Sequence, residues 1–404
     1  MIASLLLFRH ARTVRAGLSS RRTVPPGTLG AAGFPRLEQE ARPAKRIAQE
    51  WINRRRVRVS KRTKIIAGVA AGVIVVGGVA LLTIFKDLGK NIPLIGDIVE
   101  ESVCPLNGAE PNKDEVDRPA VAIKVENAQE AYPLSGLDGA ELVYEELVEG
   151  GVTRFMAMYH CNDSNKIGPV RSARSVDPGI MVPVTKILTF SGANGPVRDV
   201  LDKAGIFLVE EGEAEGVFTR VERPGLGSEH TLYANSARAR TFGAKKYEDP
   251  PPDTVFKFGD LEGDTKRAKT IDISFSDLTN IRYEYSGGGY KRFQPTEQAF
   301  EIEESGQLEV ENVLIEEHVV NNSKTIKDVN GNPSTEIADE TGSGRAVLFR
   351  DGQAIEGKWL RESLDDLVRF ETAAGNEMVF SEGNVWIHLL PGKKGELEGS
   401  FSFE

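Results

Sequence analysis

The stretch PAVAIKVENAQEAYPLSGLDGAELVYEELVEGGVTRFMAMYHC, residues 119–161, decides how the chain is read. In PAVAIKVEN, Val121, Ile123 and Val125 alternate with Ala122 and Lys124, the period of two that marks a strand. TRFMAMYH at 153–160 reads as a second strand. Between them LDGAELVYEELVEGG (137–151) reads as a helix ended by glycine, with Leu142, Leu147 and Val148 on its apolar side. Further along, TKILTFSG (185–192) reads as a third strand and PVRDVLDKAG (196–205) as a short helix, while PVRSARSVDPG (169–179) is polar and turn-rich. This order predicts a mixed α/β domain over 119–242, helices lying against a sheet.

The pattern changes after three consecutive prolines, Pro250 to Pro252, within a linker at 243–259. From 260 to 404 the chain is a series of short strand-like runs, among them IDISFS, IRYEYS, LEVENVLIEEHVV and MVFSEGNVWIHLLP, separated by Gly, Asn and Asp turns. The expectation is an α+β protein: an α/β-type domain followed by a separate, mainly β domain.

Charge divides the chain differently. Residues 1–64 hold 16 Lys/Arg against 3 Asp/Glu, and residues 85–404 hold 34 against 57, within a total of -10. Between them lies IIAGVAAGVIVVGGVALLTI (65–84), 20 uncharged residues, long enough as a helix to span about 30 Å of hydrocarbon. With Arg54, Arg55, Arg56, Arg58, Lys61, Arg62 and Lys64 just upstream, the positive-inside rule predicts a single-pass membrane helix. The basic tail 1–64 would then be cytoplasmic and disordered, and 85–118 would be a stalk and lead-in carrying an extracytoplasmic body. The acidic body excludes a nucleic-acid-binding role, because phosphate neutralisation needs concentrated Lys and Arg. Cys104 and Cys161 would both lie on the oxidising side. A bridge between them would pin the lead-in to the core; the alternative is two separate thiols.

Four groups of residues carry candidate chemistry. Arg171, Arg174 and Asp177 follow the turn pair Gly168–Pro169, and the two guanidiniums can hold a carboxylate or phosphate, or pair internally with Glu145 or Glu149. Glu141, Glu145 and Glu149 recur every four residues and, on a helix, would share one face. They are a solvated face, a network with the arginines, or a glycosidase-like acid/base or cation site. His230, beside Glu229 and three residues before Tyr233, is the best isolated acid/base candidate. Trp359, Trp386, Phe349, Phe370, Tyr283, Tyr285 and Tyr290 either pack a β core or form a stacking platform for a glycan or peptide. No HExxH, EF-hand, GxSxG or Walker A motif is present, and nothing in the sequence calls for a metal or a cofactor.

Residues 118–159 and KIGPVRSARSVD (166–177) resemble the YerB-like bacterial lipoprotein family, domain of unknown function 3048, and FRDGQAIEGKWLRES (349–363) with GNVWIHLLP (383–391) resembles its C-terminal domain. The resemblance implies a fold and an envelope location rather than a reaction. The chain departs from it in having no lipid-attachment Cys after the apolar run. The resulting expectation is a membrane-anchored extracytoplasmic protein that binds an anionic cell-wall-related ligand or an envelope partner. Its site would use Arg171, Arg174, Asp177, His230 and Tyr233. One alternative is a cell-wall-directed hydrolase or transferase using Glu145 or Glu149 with His230, and another is a scaffold for wall-synthesis enzymes.

Overall fold

In the computed structural model, which describes residues 103–111, 115–328 and 330–404, the segment expected to be helical is a strand. Leu142–Leu147 pairs antiparallel with Thr153–Tyr159 on one side and parallel with Val385–Pro391 on the other. The helix preference of Glu and Leu amounts to tenths of a kcal/mol per residue. Two full ladders and burial of both strand faces outweigh it. Gly150 and Gly151, both at positive φ, do not end a helix; they turn the chain into the next strand.

That strand is the middle of an eleven-stranded sheet. In chain order its principal strands are β1 (Val121–Glu126), β2 (Leu142–Leu147), β3 (Thr153–Tyr159), β4 (Ile187–Phe190), β5 (Phe207–Glu210), β6 (Asn312–His318), β7 (Gly342–Arg350), β8 (Gln353–Arg361), β9 (Arg369–Thr372) and β10 (Val385–Pro391). The spatial order is β9-β8-β7-β6-β10-β2-β3-β1-β4-β5, with Lys266–Arg267 added beside β8. Strands β1, β4 and β5 are parallel, as are β2, β10 and β6; β3 runs antiparallel between β1 and β2.

Both faces are covered. On one, Val121, Ile123, Val125, Val143, Phe155 and Trp386 meet a five-stranded antiparallel sheet through its Ile271, Ile273, Ile281, Tyr283 and Tyr290. On the other, Ala122, Leu142, Met156, Leu314 and Ile387 pack beneath two helices, α1 (Asp177–Met181) and α2 (Gly195–Lys203), through Ile180, Met181, Val197 and Leu201. The mixed α+β character expected from the sequence is present, mostly as β-sheet.

Two expectations need correction. The joint at Pro250–Pro252 does not separate the chain into an α/β body and a β body, because β1–β5 precede it, β6–β10 follow it, and all belong to one sheet with β10 beside β2. The membrane topology does not stand either. Among the described residues no helix is long and apolar enough to cross a membrane. The run 65–84 lies outside the described residues, as do the tail 1–64 and most of the lead-in 85–118. The single-span anchor, the transmembrane helix and the single-pass localisation built on that run are therefore set aside.

Cys104 and Cys161 are joined by a disulfide, Cα atoms 6.1 Å apart, which ties the lead-in to the end of β3. Closing a loop of 57 residues contributes about 4 kcal/mol in the chain-entropy treatment.

Candidate functional site

The loop 168–177 is fixed along β1 just beyond its short pairing with β4. Glu126 N–H donates to Pro169 O at 3.1 Å, and Arg171 N–H donates to Lys124 O at 2.9 Å. On its other side the segment Leu232–Ala234 follows the same loop, with Val170 N–H donating to Leu232 O at 2.7 Å. This close approach explains Gly168, since a Cβ there would stand 2.8 Å from Leu232 O. The result carries His230 to the carboxyl end of β1.

Strand alternation puts Lys124, Glu126, Glu146 and Arg154 on the helix-covered face, with Arg154 opposite both Glu126 and Glu146 in the ladder. Three ion-paired groups form there. Lys124 Nζ contacts Glu146 and lies 2.8 Å from Asp177 Oδ1, all three buried. Arg174 reaches Glu149 Oε2 through Nε at 2.8 Å and Nη2 at 2.5 Å, while Ser334 Oγ donates to Glu149 Oε1 at 2.5 Å. His230 Nδ1 lies 2.9 Å from both oxygens of Glu126, and Arg171 Nε lies 4.0 Å from Glu126 Oε2. Arg171 also donates to Glu229 O at 3.0 Å.

Burial sets the electrostatics of this face. It raises the Glu126 carboxyl despite Arg171 and His230, and it raises Glu146 to about 7 despite Lys124. It lowers Arg154 to about 9, helped by Arg174 and Arg171 nearby. Burial also works against ionised Glu149, but Arg174 and the Ser334 hydrogen bond prevail and hold that carboxyl low.

Glu145 points to the opposite face, so it and His230 do not meet. Arg292 grips it bidentately at 2.9 and 3.1 Å, Thr153 Oγ1 donates at 2.7 Å and Asn127 Nδ2 at 3.0 Å, and His388 Nδ1 lies 3.1 Å away. The Arg292 guanidinium is enclosed by the rings of Phe155, Tyr283, Phe300 and Trp386, 4.8 to 5.6 Å from their centroids. Burial would raise the Glu145 carboxyl, but Arg292 and His388 hold it down at about 2. This fully buried network cements the two sheets together.

The sequence candidates therefore separate. Arg171 and His230 come together around Glu126. Arg174 and Asp177 hold the loop through Glu149 and Lys124. Tyr233 is buried and turns toward Lys166 and Arg223. Glu141 accepts from the backbone N–H groups of Cys161 and Asn162 at 2.8 and 3.3 Å, and from that of His160. The aromatic set packs the core: Trp359, Trp386, Phe349, Phe370, Tyr283 and Tyr290 are buried, and Tyr285 lies edge-on against Tyr290. Glu126, Lys124, Arg292 and His388 were missed. For the first two a signal existed, two charges at alternate positions of an otherwise apolar strand.

Residues 106–248 match the family described as "Protein of unknown function (DUF3048) N-terminal domain", and residues 271–387 match its C-terminal domain. The chain is 25% identical over 304 residues to "Putative lipoprotein YerB" of Bacillus subtilis (strain 168), covering 74% of this chain and 88% of that protein. The crystal structure of YerB protein from Bacillus subtilis superposes with a TM-score of 0.59 at 23% identity, covering 74% of this chain and 99% of that one. Together the two matched segments take in most of the described residues, and the chain belongs to the DUF3048 family.

Proposed function

We propose that this protein is an extracytoplasmic, envelope-located binding protein that takes an anionic ligand, a carboxylate or phosphate of cell-wall material, where Arg171 and His230 flank Glu126. The observation carrying this reading is the unequal engagement of the two arginines. Arg174 is 10% exposed and doubly bonded to Glu149, whereas Arg171 is 23% exposed and its nearest carboxylate oxygen is 4.0 Å away. Apart from the Nη1 bond to Glu229 O, Arg171 thus keeps guanidinium N–H groups to offer a second partner. Its place at the carboxyl end of β1, beside the parallel strand β4, is where open sheets with parallel strands collect ligands. On an otherwise acidic chain it makes a local positive spot. The disulfide fits an oxidising compartment, and the relative named as a lipoprotein supports an envelope location.

A second reading rests on the His230–Glu126 contact, in which Glu126 orients His230 and leaves Nε2 as a general base. It replaces the expected pairing of His230 with Glu145 or Glu149, both engaged elsewhere.

Calorimetric titration of the full chain tests the binding reading. The probes are a muropeptide with free carboxylates, its amidated analogue and a glycerol phosphate oligomer. Binding of an anionic probe that weakens with salt, fails with the amide and is lost in Arg171→Ala is expected. Equal binding of the amide, or binding that survives Arg171→Ala, contradicts it.

A further inference from the structure

At the other end of β3, away from Arg171, a second polar cluster surrounds the disulfide. Cys104, Cys161, Glu141 and His160 are all buried. The two sulfurs and a Glu141 carboxylate oxygen lie within 4.8 Å of one another. His160 Nδ1 is 3.6 Å from Cys161 Sγ. Its Nε2 is 2.9 Å from Arg118 O, a carbonyl that can only accept, so in the neutral ring Nε2 carries the hydrogen and Nδ1 presents its lone pair to the sulfur. A disulfide sulfur has no hydrogen to give it. An imidazole whose outer N–H is anchored on a backbone carbonyl is the usual arrangement of a metal-bound histidine.

The spacing agrees. Bonds of about 2.3 Å to sulfur and 2.0–2.1 Å to nitrogen put neighbouring donors of a tetrahedral zinc ion roughly 3.5–3.8 Å apart. The histidine–sulfur distance already matches. The two sulfurs must move apart on Cα atoms 6.1 Å apart, and the imidazole, which reaches Cys161 Sγ but lies outside the cluster of the two sulfurs and the Glu141 oxygen, must turn inward, both by side-chain rotation. Glu141 is held in place by three backbone N–H groups, only one of them on Oε2, which keeps a lone pair for a cation. Arg118 and Arg240, which donate to the carbonyls of His160 and Cys161 and of His160, lie beside the negative donor set.

We propose that, when the disulfide is reduced, Cys104, Cys161, His160 and Glu141 form a closed tetrahedral site for a zinc-class divalent cation. The corner between lead-in and sheet is then closed by a covalent bond under oxidising conditions and by a metal ion under reducing ones. A dithiol reductant supplies two electrons and two protons. The Cys104–Cys161 S–S bond breaks to two thiols as the reductant's own S–S bond forms. The arriving cation displaces both thiol protons to solvent and binds two thiolates, the imidazole and the carboxylate.

The test uses the full chain, reduced with a dithiol that is then removed, with thiols counted and Co2+ added. Thiolate-to-cobalt charge transfer and the visible bands of tetrahedral cobalt are expected, displaced by Zn2+ and absent from the oxidised protein. His160→Gln, which keeps both thiols, should weaken Co2+ binding at least about tenfold and alter the visible bands. Because reduction loosens the corner, melting gives a second reading: Zn2+ should raise the melting temperature of the reduced protein and not that of Cys104→Ser/Cys161→Ser. Two free thiols per chain with no tetrahedral cobalt spectrum, affinity and bands unchanged in His160→Gln, or no Zn2+-dependent rise in melting temperature would each overturn the proposal.

Discussion

Arg171 and Arg174 stand three residues apart on one loop and meet different fates, because the strand beneath them offers different partners. Glu149 and Ser334 enclose Arg174, while Arg171 shares Glu126 with His230 and stays partly in water. The sequence showed both arginines and could not tell them apart, since Ser334 and Glu149 are joined only through the fold. His318 illustrates the same limit. It reads as an isolated strand histidine, yet it lies between Glu316 at 3.1 Å and Asp339 at 3.2 Å and is stacked on Trp359. Burial pulls its pKa down, but the bonds to Asp339 and Glu316 prevail and raise it to about 9. A folded pKa above the ordinary 6.5 means a stabilising contribution that is fully present below about pH 6.5 and lost as pH rises through about 9. The full amount is up to about 3 kcal/mol. Thermal melts across that window should therefore fall more steeply for the wild type than for His318→Gln. Parallel pH profiles would show that the imidazolium contributes nothing.

At the scale of elements, the strands at 121–126, 153–159 and 187–190 and the helix at 195–203 were legible, because each carries its own period. Strand β2 was not. Its residues favour a helix locally, and β10, the partner that makes it a central strand, comes more than two hundred residues later. The misreading had a chemical consequence, since a helix puts Glu145 and Glu149 on one face whereas a strand sends Glu145 into the core with Arg292. Glu145→Ala distinguishes the two. On a solvated helix face it would cost within about 0.5 kcal/mol. Next to a buried Arg292 it should cost roughly 3–5 kcal/mol in denaturant unfolding, because the guanidinium is left uncompensated.

For the whole molecule, the composition change at Pro250–Pro252 was visible and misleading. Proline-rich linkers often separate domains, but here the strands beyond the joint return to complete the sheet begun before it. A protein clipped by protease between 243 and 260 should accordingly elute intact from a sizing column and unfold in one transition. Two fragments that separate and melt independently would restore the two-body view. The functional account makes the corresponding claim for the site: one loop arginine faces a ligand while its neighbour holds the fold. The most direct measurement takes affinity for the anionic wall probes and melting temperature together on Arg171→Ala and Arg174→Ala. The account predicts lost binding with a nearly unchanged melting temperature for Arg171→Ala, and a large drop in melting temperature for Arg174→Ala. Binding unaffected by Arg171→Ala, or a melting temperature that falls as far as that of Arg174→Ala, would contradict it.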